Sequence, residues 1–232
     1  MIMNEKSKKI FVDSRETIVM YYTYLHLGYF YSQLSKREDL SCKSKDIWID
    51  FDTNEHFLLR EDIIKSSLKD IYDKSQSPDV FSYLIFNNFI RGITMALLEA
   101  LKEEEIKKSF LEHFFKNHKE AYDNFEGVLR FIRNTLSHNI RDRIGLKEED
   151  YEKQMNYLRK KGKSSLNFFF NYTESPIPIP INRKNYSVKI DINFNQKIKE
   201  GVVYTNIISE YQTILFIELC YNCMEYLKDK LD

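Results

Sequence analysis

The sequence predicts a mainly α protein: a helical bundle with a small β-hairpin-type insertion before its last helix. Three observations carry that expectation. Backbone breakers are scarce, with 6 Gly and 4 Pro in 232 residues, so long uninterrupted helices are allowed. Apolar residues recur at helical spacing through most of the long segments. Two-residue alternation occurs in two neighbouring stretches within residues 164–196, strictly so in the second. The length suits a single domain, residues 1–232, with a sizeable core.

Taken in order, residues 14–35 read as the first helix, dense in Tyr, Leu and Val, with Asp13 or Ser14 as the capping residue. A linker over 41–52 follows and holds Trp48 within a short Ile47, Ile49, Phe51 alternation. Residues 54–74 read as an amphipathic helix on Leu58, Ile63, Ile64, Leu68 and Ile71. After the Ser77-Pro78-Asp79 punctuation, helices are expected over 79–102, 103–118 and 121–144. Glu103, Glu104 and Glu105 suit the positive end of the helix that they open.

The pattern then changes. Leu166, Phe168, Phe170 and Tyr172 alternate with mostly polar neighbours, and Val188, Ile190, Ile192 and Phe194 alternate with Lys189, Asp191, Asn193 and Asn195. Such stretches make half-buried strands. Pro176, Pro178 and Pro180 between them call for an extended connection outside any ladder. Residues 204–230 form the last predicted helix.

Composition and charge narrow the function. With 43% hydrophobic and 30% charged residues the chain suits a folded protein rather than a disordered one. Its 35 basic and 35 acidic residues cancel, which disfavours binding long nucleic acid by the whole surface. The charge is segregated, however: ten basic and five acidic residues fall between Arg130 and Lys163.

The three cysteines, Cys42, Cys220 and Cys223, point to a reducing interior without a disulfide framework. The polar N-terminus lacks an apolar targeting run, and the most apolar stretch, 81–101, is interrupted by Asn87, Asn88 and Arg91. A cytoplasmic protein without membrane spans is expected.

Several metal-like patterns read as structure. Cys220 and Cys223 fall inside a predicted helix, as two buried small side chains. His113 and His118 are five apart rather than the four that share a helical face. Asp50 and Asp52 resemble a metal motif only in their letters. Neither metal nor other cofactor is implied.

The helix over 121–144 carries the chemistry. At about 100° per residue, Phe125, Leu129, Ile132, Leu136, Ile140 and Ile144 form one apolar stripe. On the same wheel Arg130, Arg141, Asn134 and His138 lie at roughly 100°, 120°, 140° and 180° from Leu129, on the polar side. Arg133 lies nearer the core edge, with a side chain long enough to reach round. Phe131 falls among the polar groups, which suggests that this face meets a partner, with a symmetric copy as one candidate.

Arg133-Asn134-Thr135-Leu136-Ser137-His138 resembles the R-x4-6-H signature of the HEPN superfamily, including the polar residue directly after the arginine. The resemblance covers the helical parts of the chain and not the β insertion. It implies a dimeric helical bundle and, in catalytic members, a metal-independent ribonuclease of toxin, anti-phage or RNA-processing systems.

The residue types suit that reaction. Metal-free RNA cleavage needs a base for the 2′-hydroxyl, an acid for the departing 5′-oxygen and a cation for the phosphate. Histidine as a residue type titrates near neutrality and serves in either proton role. The resemblance therefore implies Arg133, Asn134 and His138 as catalytic residues, with Arg130 and Arg141 as RNA contacts, in a homodimer joined through the motif face. The alternatives are a non-catalytic HEPN-fold module that recognises RNA or a partner protein such as a nucleotidyltransferase or antitoxin, and a helical interaction protein unrelated to RNA.

Overall fold

A computed structural model of the chain describes residues 3–35, 47–50, 56–59, 85–138, 145–179, 187–195 and 198–231. Among the described residues there are six α-helices: α1 (Glu5–Ser35), α2 (Arg91–Ala100), α3 (Glu104–Phe115), α4 (Lys119–His138), α5 (Glu148–Lys160) and α6 (Glu210–Leu231). Two antiparallel hairpins accompany them, β1 (Ile47–Asp50) with β2 (His56–Leu59) and β3 (Ser165–Asn171) with β4 (Ser187–Asn193). The mainly α class with a small hairpin before the last helix is borne out. None of the described helices is long and apolar enough to cross a membrane.

Helix α1 begins well before its expected start. The Asn4 side-chain oxygen accepts the Ser7 backbone N–H at 2.9 Å, a cap three residues into the turn. The Asn4 N–H in turn donates to Glu105 Oε2 at 2.9 Å, which ties the tip of α1 to the first turn of α3 and lowers the Glu105 carboxyl below its usual range. Asp13 and Ser14 therefore lie inside the helix rather than at its cap. Among the described residues Ser7, Phe11, Ser14, Ile18, Leu25 and Gly28 are its buried positions, spaced by threes, fours and sevens.

The expected helix over 54–74 is corrected where it is described. Residues 56–59 are a strand, with Ile47 opposite Leu59 and Asp50 opposite His56. The Ile-Trp-Ile and Phe-Leu-Leu runs are strong strand formers with a ladder partner close by in the chain, and pairing outweighs the helical spacing. Residues 60–84 lie outside the described residues. The helix expected over 79–102 is described from Ile85, where one wide π-type segment, Ile85–Ile90, runs into α2.

Helix α5 was not anticipated. Its acidic first turn, Glu148–Asp150, is closed by Asp150 accepting the Lys147 N–H at 2.8 Å. Its end is a Schellman turn, in which Gly162 N–H bonds Arg159 O and Lys163 N–H bonds Leu158 O, both at 2.9 Å. Gly162 takes φ +70° there, the left-handed conformation that suits glycine. Tyr151 and Leu158 are the apolar side chains that α5 buries, beside the capping Asp150.

The β insertion is part of the core. Leu166, Phe168 and Phe170 face inward and pair with Ile192, Ile190 and Val188. Phe168 packs against Phe125 of α4 (5.7 Å between ring centroids) and edge-on to Phe216 of α6 (5.4 Å). Each such aromatic pair adds about 0.5–1.5 kcal/mol beyond the area that it buries. Gly127 marks the closest approach of hairpin and helix, since a Cβ there would lie 2.8 Å from Leu166 Cδ2. Tyr172 leaves the ladder for a short 3-10 turn but stays buried. Ile177, between Pro176 and Pro178, is buried in the connection, which is outside the ladder as far as Ile179.

Candidate functional site at the α4–α5 groove

Helix α4 is covered on most of its circumference. Phe125, Leu129, Ile132 and Leu136 of the expected stripe are buried, and so are Tyr122, Val128, Phe131 and Thr135. Ile140 and Ile144 lie outside the described residues. Thr135 tolerates its burial because its hydroxyl donates to the Phe131 carbonyl one turn back, at 2.9 Å.

Phe131 corrects the sequence-based reading of this face. Its ring is fully buried, stacked on Tyr204 and edge-on to Phe194. The segment that leads from β4 to α6 covers it from within the chain. Its apolar character therefore gives no sign of an external partner.

Along one side of α4 an open strip runs through Asp123, Glu126, Arg130, Arg133 and Asn134, spaced by threes and fours. Helix α5 runs antiparallel beside this strip, held by Lys161 Nζ on Asp123 Oδ2 at 2.8 Å and by Lys163 on Glu120. Between the helices lies a groove of about 590 Å³, to which α5 contributes Glu149, Lys153, Gln154 and Tyr157. A second hollow of about 350 Å³ adjoins it around Lys119, Asn124 and Leu166, and both share Asp123 and Tyr157. Of the predicted site residues, Arg130, Arg133 and Asn134 thus converge on one groove.

The cations in and beside the groove differ in their commitments. Arg130 is held by Glu126, with Nε 3.0 Å from Oε1 and a second contact from Nη2. Lys161 is held by Asp123, whose hydrogen bond raises the lysine above its ordinary range, and its ammonium also lies 4.4 Å from the Tyr157 ring centroid. Lys163 holds the Glu120 carboxyl below its usual range through a hydrogen bond. Arg133 and Lys153 have no carboxylate partner among the described residues, and Asn134 has no hydrogen-bonded side-chain partner among them. With Gln154 and Tyr157, these three line the groove.

His138 is the last residue of α4, one helical turn beyond Asn134. Its ring lies outside the described residues, as does all of Arg141. Sequence reasoning missed Lys153, Gln154 and Tyr157. The signal for α5 was present, in the acidic run Glu148–Asp150, the spacing of Tyr151, Met155 and Leu158, and Gly162 beyond the end.

Cys220 and Cys223 behave as expected of core side chains. Both are buried in α6, and desolvation pushes both thiols up, away from the reactive thiolate. Compared with protein-family models, with curated proteins and with solved structures, the chain finds no significant match.

Proposed function

We propose that this chain is a metal-independent endoribonuclease of the HEPN type, acting as a homodimer in a toxin-like or anti-phage role. The observation that carries the proposal is the placement of Arg133 and Asn134. The arginine of the motif sits uncommitted to any described carboxylate in a groove on α4, one turn from the helix end that bears His138.

Arg133 holds the scissile phosphate, by two parallel hydrogen bonds where the geometry allows. Asn134 orients the phosphate or the histidine. A base removes the 2′-hydroxyl proton, and the 2′-oxygen attacks phosphorus. The bond to the 5′-oxygen breaks as an acid protonates it, which leaves a 2′,3′-cyclic phosphate and a 5′-hydroxyl. One chain supplies one motif histidine, so a two-fold dimer supplies base and acid from its two His138 residues.

The test is cleavage of total RNA and tRNA by the purified protein in excess EDTA. Wild type is expected to cleave and to leave cyclic-phosphate ends. His138→Ala is expected to lose roughly 100- to 10,000-fold in rate, the usual worth of a general acid or base. Arg133→Lys should lose more than a simple charge swap suggests, because the planar fork is gone. A folded wild-type protein that leaves every RNA intact overturns the proposal. Motif-dependent RNA binding without turnover favours the binding-module alternative.

A further inference from the structure

We infer that the α4–α5 groove is a subsite for single-stranded RNA, with Tyr157 as the stacking platform for a base and Lys153 as the cation for a phosphate next to the one that Arg133 holds. The inference rests on the proposed ribonuclease activity and adds a substrate class and two residues to it.

Three observations point to that ligand. The groove is built as a strip: Arg133 and Asp123 on α4 are ten residues apart, so it runs for about 15 Å along the helix at 1.5 Å per residue. A volume of about 590 Å³ over that length is room for a few nucleotides and not for a duplex. Second, one end presents an aromatic ring. Tyr157 is 45% exposed, and the Lys161 ammonium beside it is held by Asp123. An exposed ring is a platform for an unpaired base, here on the face that the Lys161 ammonium does not cover.

Third, the charge is sparing. Arg130, Lys161 and Lys163 are matched by Glu126, Asp123 and Glu120, so Lys153 and Arg133 are the groove cations without a carboxylate partner among the described residues. Two such cations suit two neighbouring phosphates rather than a long backbone track. Gln154 and Asn134, between them, supply amides able to bond base edges or sugar hydroxyls. Duplex RNA offers neither a free base face nor a backbone that fits between two helices.

The experiment compares wild type, Tyr157→Ala, Tyr157→Phe and Lys153→Gln. All replace exposed side chains, and circular dichroism checks that each folds. Binding is read with a fluorescent single-stranded oligonucleotide carrying 2′-deoxy sugars, which cannot be cleaved, and turnover with the matching RNA. Tyr157→Ala is expected to raise Kd and KM about tenfold, and Tyr157→Phe to restore both, as stacking requires. Lys153→Gln is expected to flatten the salt dependence of binding by about 0.7 in the log–log slope.

A wild type that cleaves, with both substitutions silent, overturns the subsite while leaving the ribonuclease standing. Binding that depends on Tyr157 without any cleavage supports the subsite and removes the enzyme. Neither binding nor cleavage by wild type overturns both. Equal affinity for single-stranded and duplex RNA also overturns the subsite.

Discussion

The ring of Phe131 lies stacked on Tyr204, with centroids 6.5 Å apart and planes inclined by 23°, on a side of α4 that a helical wheel assigns to solvent. Tyr204 is itself pinned, its hydroxyl 2.8 Å from Thr213 Oγ1 on α6. The pair closes the bundle between α4, the end of the hairpin and α6. Phe131→Ala is therefore expected to cost about 3–5 kcal/mol of fold stability, the usual range for removing a buried aromatic ring. Thermal unfolding checks the loss. Sedimentation velocity on the folded fraction is expected to show wild-type association. An unchanged melting temperature with lost self-association would instead place Phe131 at an interface.

At Gly92, α2 packs tightly against Tyr21 of α1. A Cβ there would lie 2.5 Å from Tyr21 Cε2 and 2.8 Å from its Cζ, too close for any side chain without displacing the ring. Tyr21 also packs on Phe89, so it cannot swing aside without loss. Gly92→Ala is expected to destabilise by about 1–3 kcal/mol through overpacking. In a double-mutant cycle, Tyr21→Ala should absorb most of that cost, and urea unfolding of the four proteins measures the coupling. Strict additivity would show that the contact does not limit packing.

Four buried groups are expected to set the alkaline limit of the fold. Desolvation raises the hydroxyls of Tyr122 and Tyr204 and the thiols of Cys220 and Cys223 above their ordinary ranges. Above the ordinary value of each group the unfolded chain loses a proton that the folded chain keeps. Their contribution to stability is therefore fully present below about pH 9 and is lost as pH rises, by up to about 1.4 kcal/mol per pH unit for each group. Urea midpoints measured from about pH 7 to about pH 11 should fall from about pH 9 upward, and Tyr204→Phe should flatten the decline. A wild-type curve that stays level to pH 11 would contradict the burial of these groups.

The local record was well legible where a segment's neighbours in sequence are also its neighbours in space. The alternation of β3 and β4 and the apolar stripe of α4 from Phe125 to Leu136 follow from periodicity, and the acidic opening of α3 follows from the helix dipole. Periodicity also set Arg130 and Asn134 on the polar side of α4, whereas it put Arg133 nearer the core edge, and the structure brings all three to one groove. The start of α1 was missed because Asp13 and Ser14 are good caps in isolation, whereas Asn4 caps the helix and is held by Glu105 on another element.

By itself, then, the sequence determined the helical class, the place of the hairpin and the residues that share the motif face, because each depends on a repeat of 2.0 or 3.6 residues along the chain. Only the tertiary structure decided which polar-side positions are open. Phe131 and Asn134 lie within one turn of each other, yet Phe131 is covered by Phe194 and Tyr204 while Asn134 lines a groove with Lys153 and Tyr157. A helical wheel describes one helix in water. Which of its faces stays in water depends on segments about twenty to seventy residues further along the chain, and no local period records where they pack.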